Sequence, residues 1–273
     1  MSTFQKVIKY LALAFALFLV VSIFTGIFSA VYSMGNIFDG NKDTSITEMS
    51  GKEMDAKDTK ALMIDLGAAE LEIKTGERLL AETNNSDINV KQNGDVLQIK
   101  EKSHNWFRTS NHSKVVVYVP EDMEFDKVGI DSGAGEITIE SLTTDVLDLD
   151  LGAGEVNIDY LEVKKAVDID GGTGETTIRS GSLCNLELDM GIGAADVSTK
   201  LSGDCDLDMG IGELALTVLG DKADYTIEVN KGVGEYTIDG EKIGDNEKIG
   251  NGTNYLQLDG GIGAVKVEFQ KTK

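Results

Sequence analysis

A short motif built on two glycines recurs through most of the chain and constrains its fold more than any other feature. The stretch LDLGAGEVNID at residues 149–159 is a clear copy. The first glycines of seven copies are Gly133, Gly152, Gly172, Gly191, Gly210, Gly232 and Gly261, so the step along the chain is nearly constant until the last two copies. A weaker copy, IDLGAAELEIK, begins at residue 64. A near-constant step of about 19 to 20 residues predicts a solenoid in which each copy forms one coil.

Apolar and polar residues alternate on both sides of the glycines, which is the pattern of strands with one buried face. A coil of this length, at about 3.3 Å per residue, has a perimeter of roughly 60 to 65 Å, enough for two or three short strands around a filled interior. We therefore predict an all-β protein, a β-solenoid of the parallel β-helix type with coils of about 19 to 20 residues. The longest step contains EKIGDNEKIGNGTN, which we expect to loop out of one coil without disturbing the stack.

The Gly-x-Gly segment is interpreted as the corner of each coil. The apolar residues fall at odd positions before this segment, as at Leu149 and Leu151, and at even positions after it, as at Val156 and Ile158. The chain must therefore bend or bulge there. The residue between the glycines is mostly apolar, which favours a side chain that points inward. A nucleotide-binding glycine loop would instead occur a single time in the chain, between a strand and a helix.

An uncharged run over residues 10–34 predicts a transmembrane helix because it is long enough to cross a hydrocarbon core of about 30 Å. Lys6 and Lys9 precede it, so residues 1–9 are expected in the cytoplasm and the remainder outside, as a single-pass protein of the cell membrane. A cleaved signal peptide is the alternative, since small residues end the run. Residues 35–60 are expected to be a polar spacer, and residues 61–273 the solenoid domain.

The body beyond this run is strongly acidic. No Asp or Glu occurs between Met1 and Phe38, so the rest carries all 47 acidic and 23 of the 25 basic side chains, a formal charge of 23 − 47 = −24. Such a charge repels nucleic acid and attracts cations or basic partners.

The stretch KVVVYVPEDMEFDKVGIDSGAGEITIESL, residues 114–142, resembles the bacterial putative-adhesin domain family. The resemblance covers about residues 60–270. It implies a β-helical protein of the cell envelope of Gram-positive bacteria, often anchored by one transmembrane segment, and it supplies no catalytic residues. The family pattern commonly continues Gly-Asp-Ile, whereas this chain has Gly-Glu, or Gly-Ala at 193 and 263.

Acidic residues recur at fixed places in the repeat. One position holds Asp131, Asp150, Asp170, Asp189, Asp208, Asn230 and Asp259, and another holds Glu136, Glu155, Glu175, Glu213 and Glu235. Carboxylates stacked about 4.8 Å apart repel, and oxygen ligands on an exported protein suggest Ca²⁺ at the aspartates. The alternative is that the aspartates cap the glycine turns and that diffuse counterions screen their charge.

Residues 102–112, KSHNWFRTSNH, interrupt two strand patterns. This loop concentrates aromatic and cationic side chains, which suits contact with an envelope glycan, another protein or the nearby membrane, or closure of an open end of the solenoid. The candidate residues are His104, Trp106, Phe107, Arg108 and His112.

The two cysteines, Cys184 and Cys205, are expected to be small buried residues in adjacent coils and not a disulfide. Taken together, these features favour a membrane-anchored surface binding or structural module without catalytic activity. The alternative is an accessory or sensor protein of an envelope-stress system that contacts another membrane protein.

Overall fold

The computed structural model describes residues 49–102 and 113–271, and strands dominate them. The strands are β1 (Ser50–Glu53), β2 (Ala61–Ala68), β3 (Glu70–Gly76), β4 (Leu80–Thr83), β5 (Ile88–Asn93), β6 (Val96–Glu101), β7 (Lys114–Pro120), β8 (Phe125–Asp170), β9 (Thr173–Ile178), β10 (Gly181–Cys184), β11 (Leu186–Ser202), β12 (Asp204–Leu219), β13 (Tyr225–Asn230), β14 (Val233–Ile238), β15 (Glu241–Lys242), β16 (Glu247–Gly250) and β17 (Asn254–Gln270). A short 3₁₀ turn spans Lys222–Asp224.

The central repeats stack as coils of a parallel β-solenoid, as the sequence predicts. Leu188 lies opposite Ile169 of the preceding coil and Leu207 of the next. A second side of each coil follows the glycines, and a third side includes Leu183, which pairs with Val163 and Leu201. The strand β8 runs unbroken from Phe125 to Asp170 because pairing continues around the corners.

The alternating aliphatic residues fill the interior. Leu147, Leu149 and Leu151 on one side, and Val156 and Ile158 on the next, are at most 1% exposed. Full burial of such a side chain contributes about 1.5 to 3 kcal/mol, so these columns hold the coils together. The predicted change of buried parity across the glycines is confirmed.

The spatial order of the coils departs from chain order at the carboxyl end. The last strand, β17, pairs in parallel with β12 on one side and with β13 and β14 on the other. It therefore lies between two coils that precede it in sequence. The expectation that residues 241–254 only loop out is wrong. Within this region β15 and β16 run antiparallel to β14 and β13 and carry the chain back, so that β17 lies between β12 and the coil of β13 and β14.

The amino-terminal end has the same arrangement. The first coil, β2 and β3, lies between β8 and the coil formed by β6 and β7. At both ends, therefore, the coil that lies outermost in space is not the first or the last coil in the sequence.

Antiparallel strands cover the outermost coils. At the amino-terminal end β5 pairs with β6, and β4 pairs with β7 and in turn with β1. At the carboxyl end β16 pairs with β13 and β15 with β14. Exposed sheet edges invite pairing with other chains, and these strands occupy much of both edges.

Aromatic side chains close the core at the carboxyl end. Tyr225 and Tyr236 are each 3% exposed. The Tyr225 hydroxyl donates a hydrogen bond to the Leu201 carbonyl oxygen at 2.8 Å, and its ring centroid lies 5.2 Å from that of Phe269. The sequence assigned such closure to Trp106 and Phe107, which lie outside the described residues.

Close backbone stacking explains the glycine pairs. Gly154 has a φ of +146°, a conformation nearly restricted to glycine, and a Cβ there would lie 1.8 Å from the carbonyl oxygen of Gly135 in the neighbouring coil. The second glycines of the other copies repeat this contact. The interpretation of the motif as a structural corner therefore holds.

Within the described ranges, no helix is long and apolar enough to span a membrane. The helix predicted at residues 10–34 lies outside these ranges. Part of the expected spacer, residues 35–60, joins the sheet as β1, and Met54 after it is 7% exposed.

Candidate binding surface

A run of aspartates forms one continuous column on the outer surface. Strand register places Asp65 beside Asp131, Asp170 beside Asp189, Asp189 beside Asp208, and Asp208 beside Asp259. Asp150 occupies the coil between Asp131 and Asp170, and its pKa is raised by partial burial and then by these two carboxylates. The acidic residues predicted to share a repeat position are therefore neighbours in space, and Asp65 extends their column by one coil.

Polar groups without negative charge end this column. Lys100 pairs with Asp65 at one end and its Nζ donates a hydrogen bond to the carboxylate. At the other end Asn230 Nδ2 donates to Asp259 Oδ1 at 2.5 Å, and Gln257 Nε2 donates to Asp259 Oδ2 at 2.7 Å. The terminal carboxylates are thus compensated, whereas those in the middle have further carboxylates as neighbours.

A second acidic column runs two residues earlier on the same side. Asp168 pairs with Glu187, and Glu187 with Asp206, and Asp148 precedes them in β8. Because alternate residues of a strand share a face, the two columns lie side by side over four successive coils. We call this grid of carboxylates the acidic face: Asp148, Asp150, Asp168, Asp170, Glu187, Asp189, Asp206 and Asp208.

Partial burial and neighbouring carboxylates both perturb the pKa values of the acidic face. Partial burial and then the neighbouring carboxylates raise the pKa values of Asp150, Asp189 and Asp206 above their ordinary range. Among the residues that the structure describes, Lys127 alone forms an ion pair with this face, with Nζ 3.5 Å from Asp148 Oδ2. The face is therefore a concentrated negative surface with little internal compensation.

The glutamate column beyond the corner is less continuous. Ala194 lies between Glu175 and Glu213, and Ala264 lies between Glu213 and Glu235 because β17 is inserted there. The Gly-Ala copies thus separate like charges that would otherwise be adjacent. At the amino-terminal end, burial and then Glu155 and Glu70 raise the pKa of Glu136.

Calcium binding by Asp131, Asp150, Asp170, Asp189, Asp208 and Asp259 stays a prediction. Across residues 49–102 and 113–271, no three acidic, histidine or cysteine side chains converge in a way that could hold a metal ion. One of the proposed turn caps is seen at Asp170, whose Oδ1 accepts a long hydrogen bond of 3.4 Å from Gly172 N.

The residues between the glycines point outward, so their predicted inward orientation is wrong. Ala134, Ala153, Thr173, Ile192 and Ile211 are half-buried, Ile262 is 51% exposed and Val233 is 72% exposed. Each of them is followed by a glycine with positive φ, which interrupts the alternation of buried and exposed residues. The next buried residue therefore comes three positions later. Sequence reasoning missed this surface because an apolar residue at a corner suits either orientation.

Two further predictions have different outcomes. Cys205 is buried and Cys184 half-buried, and both are free thiols. Burial raises the pKa of the Cys205 thiol, as expected for an unreactive core residue. The interaction loop, His104, Trp106, Phe107, Arg108 and His112, lies outside the described residues and stays a prediction.

Stacked parallel coils with a charged outer face define this molecule as an acidic β-solenoid. The model of the Toastrack DUF4097 family matches residues 59–243, and the chain belongs to that family. This range contains the coils from β2 to β14 and ends before the inserted strand β17. Family membership supports the adhesin-like resemblance seen in the sequence, while a Gram-positive origin stays a prediction.

Several solved structures are similar at low identity. They include a putative cell adhesion protein from Clostridium sporogenes (15% identity, TM-score 0.42, covering 82% of this chain and 99% of that one). Another is a putative adhesin from Bacteroides fragilis (15% identity, TM-score 0.35, covering 81% and 97%). A third is a putative adhesin from Parabacteroides merdae (16% identity, TM-score 0.29, covering 83% and 96%). No curated protein matches the chain.

Proposed function

We propose that this protein is a non-catalytic binding module of the bacterial cell envelope, held at the membrane by residues 10–34 and displaying its solenoid outside the cell. The acidic face carries the proposal. Its carboxylates cover four successive coils in two adjacent columns. A rigid, extended and negatively charged sheet face suits recognition of a cationic surface on another macromolecule.

Rigid stacking makes this face suitable for binding. Its strands are paired on both sides along the central coils, so the spacing of the carboxylates is fixed by the backbone. Association with a basic partner would relieve the repulsion that contributes, after partial burial, to the raised pKa values of Asp150 and Asp189. Electrostatic attraction of this type speeds association and weakens as the ionic strength rises.

Thiol labelling of intact cells tests the location. The exposed residue Asp87 and the amino-terminal Ser2 are each replaced by cysteine in a C184S/C205S background, and the cells are treated with a membrane-impermeant maleimide. The proposal expects labelling of D87C in intact cells and labelling of S2C only after the membrane is opened. Equal protection of both cysteines in intact cells would overturn it.

A second experiment separates a binding module from the accessory or sensor alternative. Exchange of residues 10–34 for an unrelated transmembrane segment preserves the outer domain and its attachment. A binding module retains its partner after this exchange, as judged by crosslinking in the envelope. Loss of the partner after the exchange would favour the accessory role, in which the membrane segment itself takes part.

A further inference from the structure

Four large aliphatic side chains form a continuous line on the outside of the solenoid corner. We call Ile192, Ile211, Ile262 and Val233 the apolar ridge. Register places Ile192 beside Ile211, Ile211 beside Ile262, and Ile262 beside Val233. The sequence alone would not join Ile262 to Ile211, because their adjacency depends on the insertion of β17.

The ridge spans about 15 Å, since adjacent strands lie about 4.8 Å apart, and its first two members, Ile192 and Ile211, are half-buried. Ile262 and Val233, at 51% and 72%, are among the few large apolar side chains that are exposed in the described part of the chain. The half-buried Ala194 and Ala264 lie two residues beyond Ile192 and Ile262 and widen the apolar surface.

The solenoid does not require large aliphatic residues at this position. The corresponding corners of other coils carry Ala134, Ala153 and Thr173, each followed by a positive-φ glycine that stacks on the neighbouring coil in the same way. Stacking of neighbouring β-branched residues contributes only modestly to the stability of a sheet. A contiguous exposed apolar strip with a charged rim, however, is typical of an interaction surface.

Carboxylates border the ridge on both sides. Asp189, Asp208 and Asp259 lie three residues before its isoleucines, and Glu213 and Glu235 lie two residues after Ile211 and Val233. Lys242 Nζ lies 3.0 Å from Glu235 Oε1 in an exposed pair. Two copies placed ridge to ridge would bring carboxylates together, and an anionic lipid surface would be repelled.

We infer that the apolar ridge is a docking surface for a partner protein whose contact strip has aliphatic side chains flanked by Lys or Arg. The aliphatic residues would cover Ile211, Ile262 and Val233, and the basic residues would face the bordering carboxylates. This inference rests on the proposed binding function and assigns its apolar anchor to the carboxyl-terminal coils. Buried apolar contacts provide most of the affinity in such interfaces, while the charged rim provides orientation and specificity.

Peptide binding by the full-length chain in nanodiscs of zwitterionic lipid tests this assignment. The probe is a labelled synthetic peptide in which Ile and Lys alternate, and its affinity is measured by fluorescence anisotropy. One comparison peptide has Thr in place of Ile, and the other has Glu in place of Lys. We expect the Ile/Lys peptide to bind and each comparison peptide to bind at least about tenfold more weakly, a difference of about 1.4 kcal/mol.

Matched variants locate the site on the protein. I211T, I262T and V233T together replace three of the four ridge residues by threonine, the residue that the fold already accepts at Thr173. We expect this variant to lose at least about tenfold in affinity for the Ile/Lys peptide, because the removed methyl groups contribute most of the apolar burial. The control variant, A134T with A153T, changes the same corner in two other coils and should bind like the wild type.

Three results would overturn the inference. The first is equal binding of the Thr/Lys and Ile/Lys peptides, which would mean attraction by the carboxylates alone. The second is unchanged affinity of the triple variant for the Ile/Lys peptide. If the triple variant lacks a cooperative melting transition, I262T alone is measured in its place. The third is a wild-type dimer in sedimentation that the triple variant abolishes, since the ridge would then join two copies. Labelling of D87C is independent of all three, so the proposed function is judged separately.

Discussion

Tyr236 occupies the space that a side chain at residue 260 would need, because a Cβ on Gly260 would lie 1.3 Å from the Tyr236 hydroxyl oxygen. The corresponding position in the neighbouring coil is Met209, which fills the interior. The tyrosine of the outermost coil therefore reaches into the adjacent, inserted coil. We predict that G260A lowers the free energy of unfolding by about 1 to 3 kcal/mol through overpacking, measured by denaturant unfolding.

A matched glycine provides the control for this substitution. A Cβ at Gly244 would meet only the flexible end of Glu247, at 3.2 Å. We expect G244A to leave stability within about 0.5 kcal/mol of the wild type. If G260A were equally neutral, Tyr236 would have to pack elsewhere.

The glycine corner predicts a larger loss at Gly212. Its φ is +147°, and a Cβ there would lie 1.7 Å from the Gly193 carbonyl oxygen. Strain and the backbone clash together predict that G212A costs about 3 kcal/mol or more in the free energy of unfolding. The control is G94A, where φ is +62° and no atom lies within 4 Å, so a cost of about 1 to 2 kcal/mol is expected. Similar losses for the two variants would contradict the stacked-corner explanation.

The acidic face predicts that the protein becomes more stable as the pH falls from neutral. Burial and neighbouring carboxylates raise the pKa values of Asp150, Asp189 and Asp206 in the folded state. The folded state therefore binds protons more readily than the unfolded state, and the melting temperature at constant ionic strength should rise as the pH falls from neutral towards the ordinary carboxyl range, about pH 4.

Ion-paired carboxylates do not oppose this trend in the same pH range. Hydrogen bonds from Lys271 and Lys248 lower the pKa values of Asp221 and Glu228, so their contribution is lost only below the ordinary carboxyl range, near about pH 4. We expect D150N with D189N to flatten the rise of melting temperature, and D87N, at an exposed site off the face, to leave it unchanged. A rise of undiminished size in the double variant would assign the effect to other groups.

Calcium should act on the acidic columns chiefly by screening. Millimolar CaCl₂ is expected to raise the melting temperature no more than NaCl of equal ionic strength, because no three ligands converge in the described ranges. A larger rise with calcium, abolished by D170N with D189N, would instead establish specific sites in the aspartate column. Differential scanning fluorimetry of the full-length chain measures both.

Deletion of residues 253–273 should disrupt more than one end coil. Removal of β17 takes away the parallel neighbour of β12 and of both β13 and β14. Amide protection in residues 225–238 should therefore fall to the level of an open chain, while residues 186–202 remain protected, as measured by hydrogen exchange with mass spectrometry. Deletion of residues 272–273 alone is the control and should change neither region. Retained protection of residues 225–238 would contradict the inserted position of β17.

The repeat step and the alternation of residues predict the solenoid, its parallel pairing and its aspartate columns. Asp189 and Asp208 stand at the same place in consecutive copies of the motif and are paired in the structure. This success has a physical basis, since a constant step places like residues in register and a two-residue period fixes which side chains are buried. The column of Asp150, Asp170, Asp189 and Asp208 is predicted in this way, whereas the second column of the acidic face, Asp148, Asp168, Glu187 and Asp206, is not among the predicted residues.

The order of the outer coils does not follow from the same information. Every copy has the same corner and the same alternation, so Ile262 is as compatible with Val233 as with Ile211, and in fact lies between them. Only the longer steps that lead to Gly232 and Gly261 distinguish these copies. The turn residues that reverse the chain, among them Asp239 and Asn246 with positive φ, specify the return locally.

The inserted position of β17 also bears on how the protein matures. A chain made from its amino terminus leaves the ribosome in sequence order, yet residues 254–270 belong between coils that are synthesised before them. The gap beside β12 can therefore be filled correctly only after residues 254–270 have been synthesised. Until then the strand edge of β12 is open to a neighbouring chain, so assembly of this end is a late and vulnerable step in biogenesis.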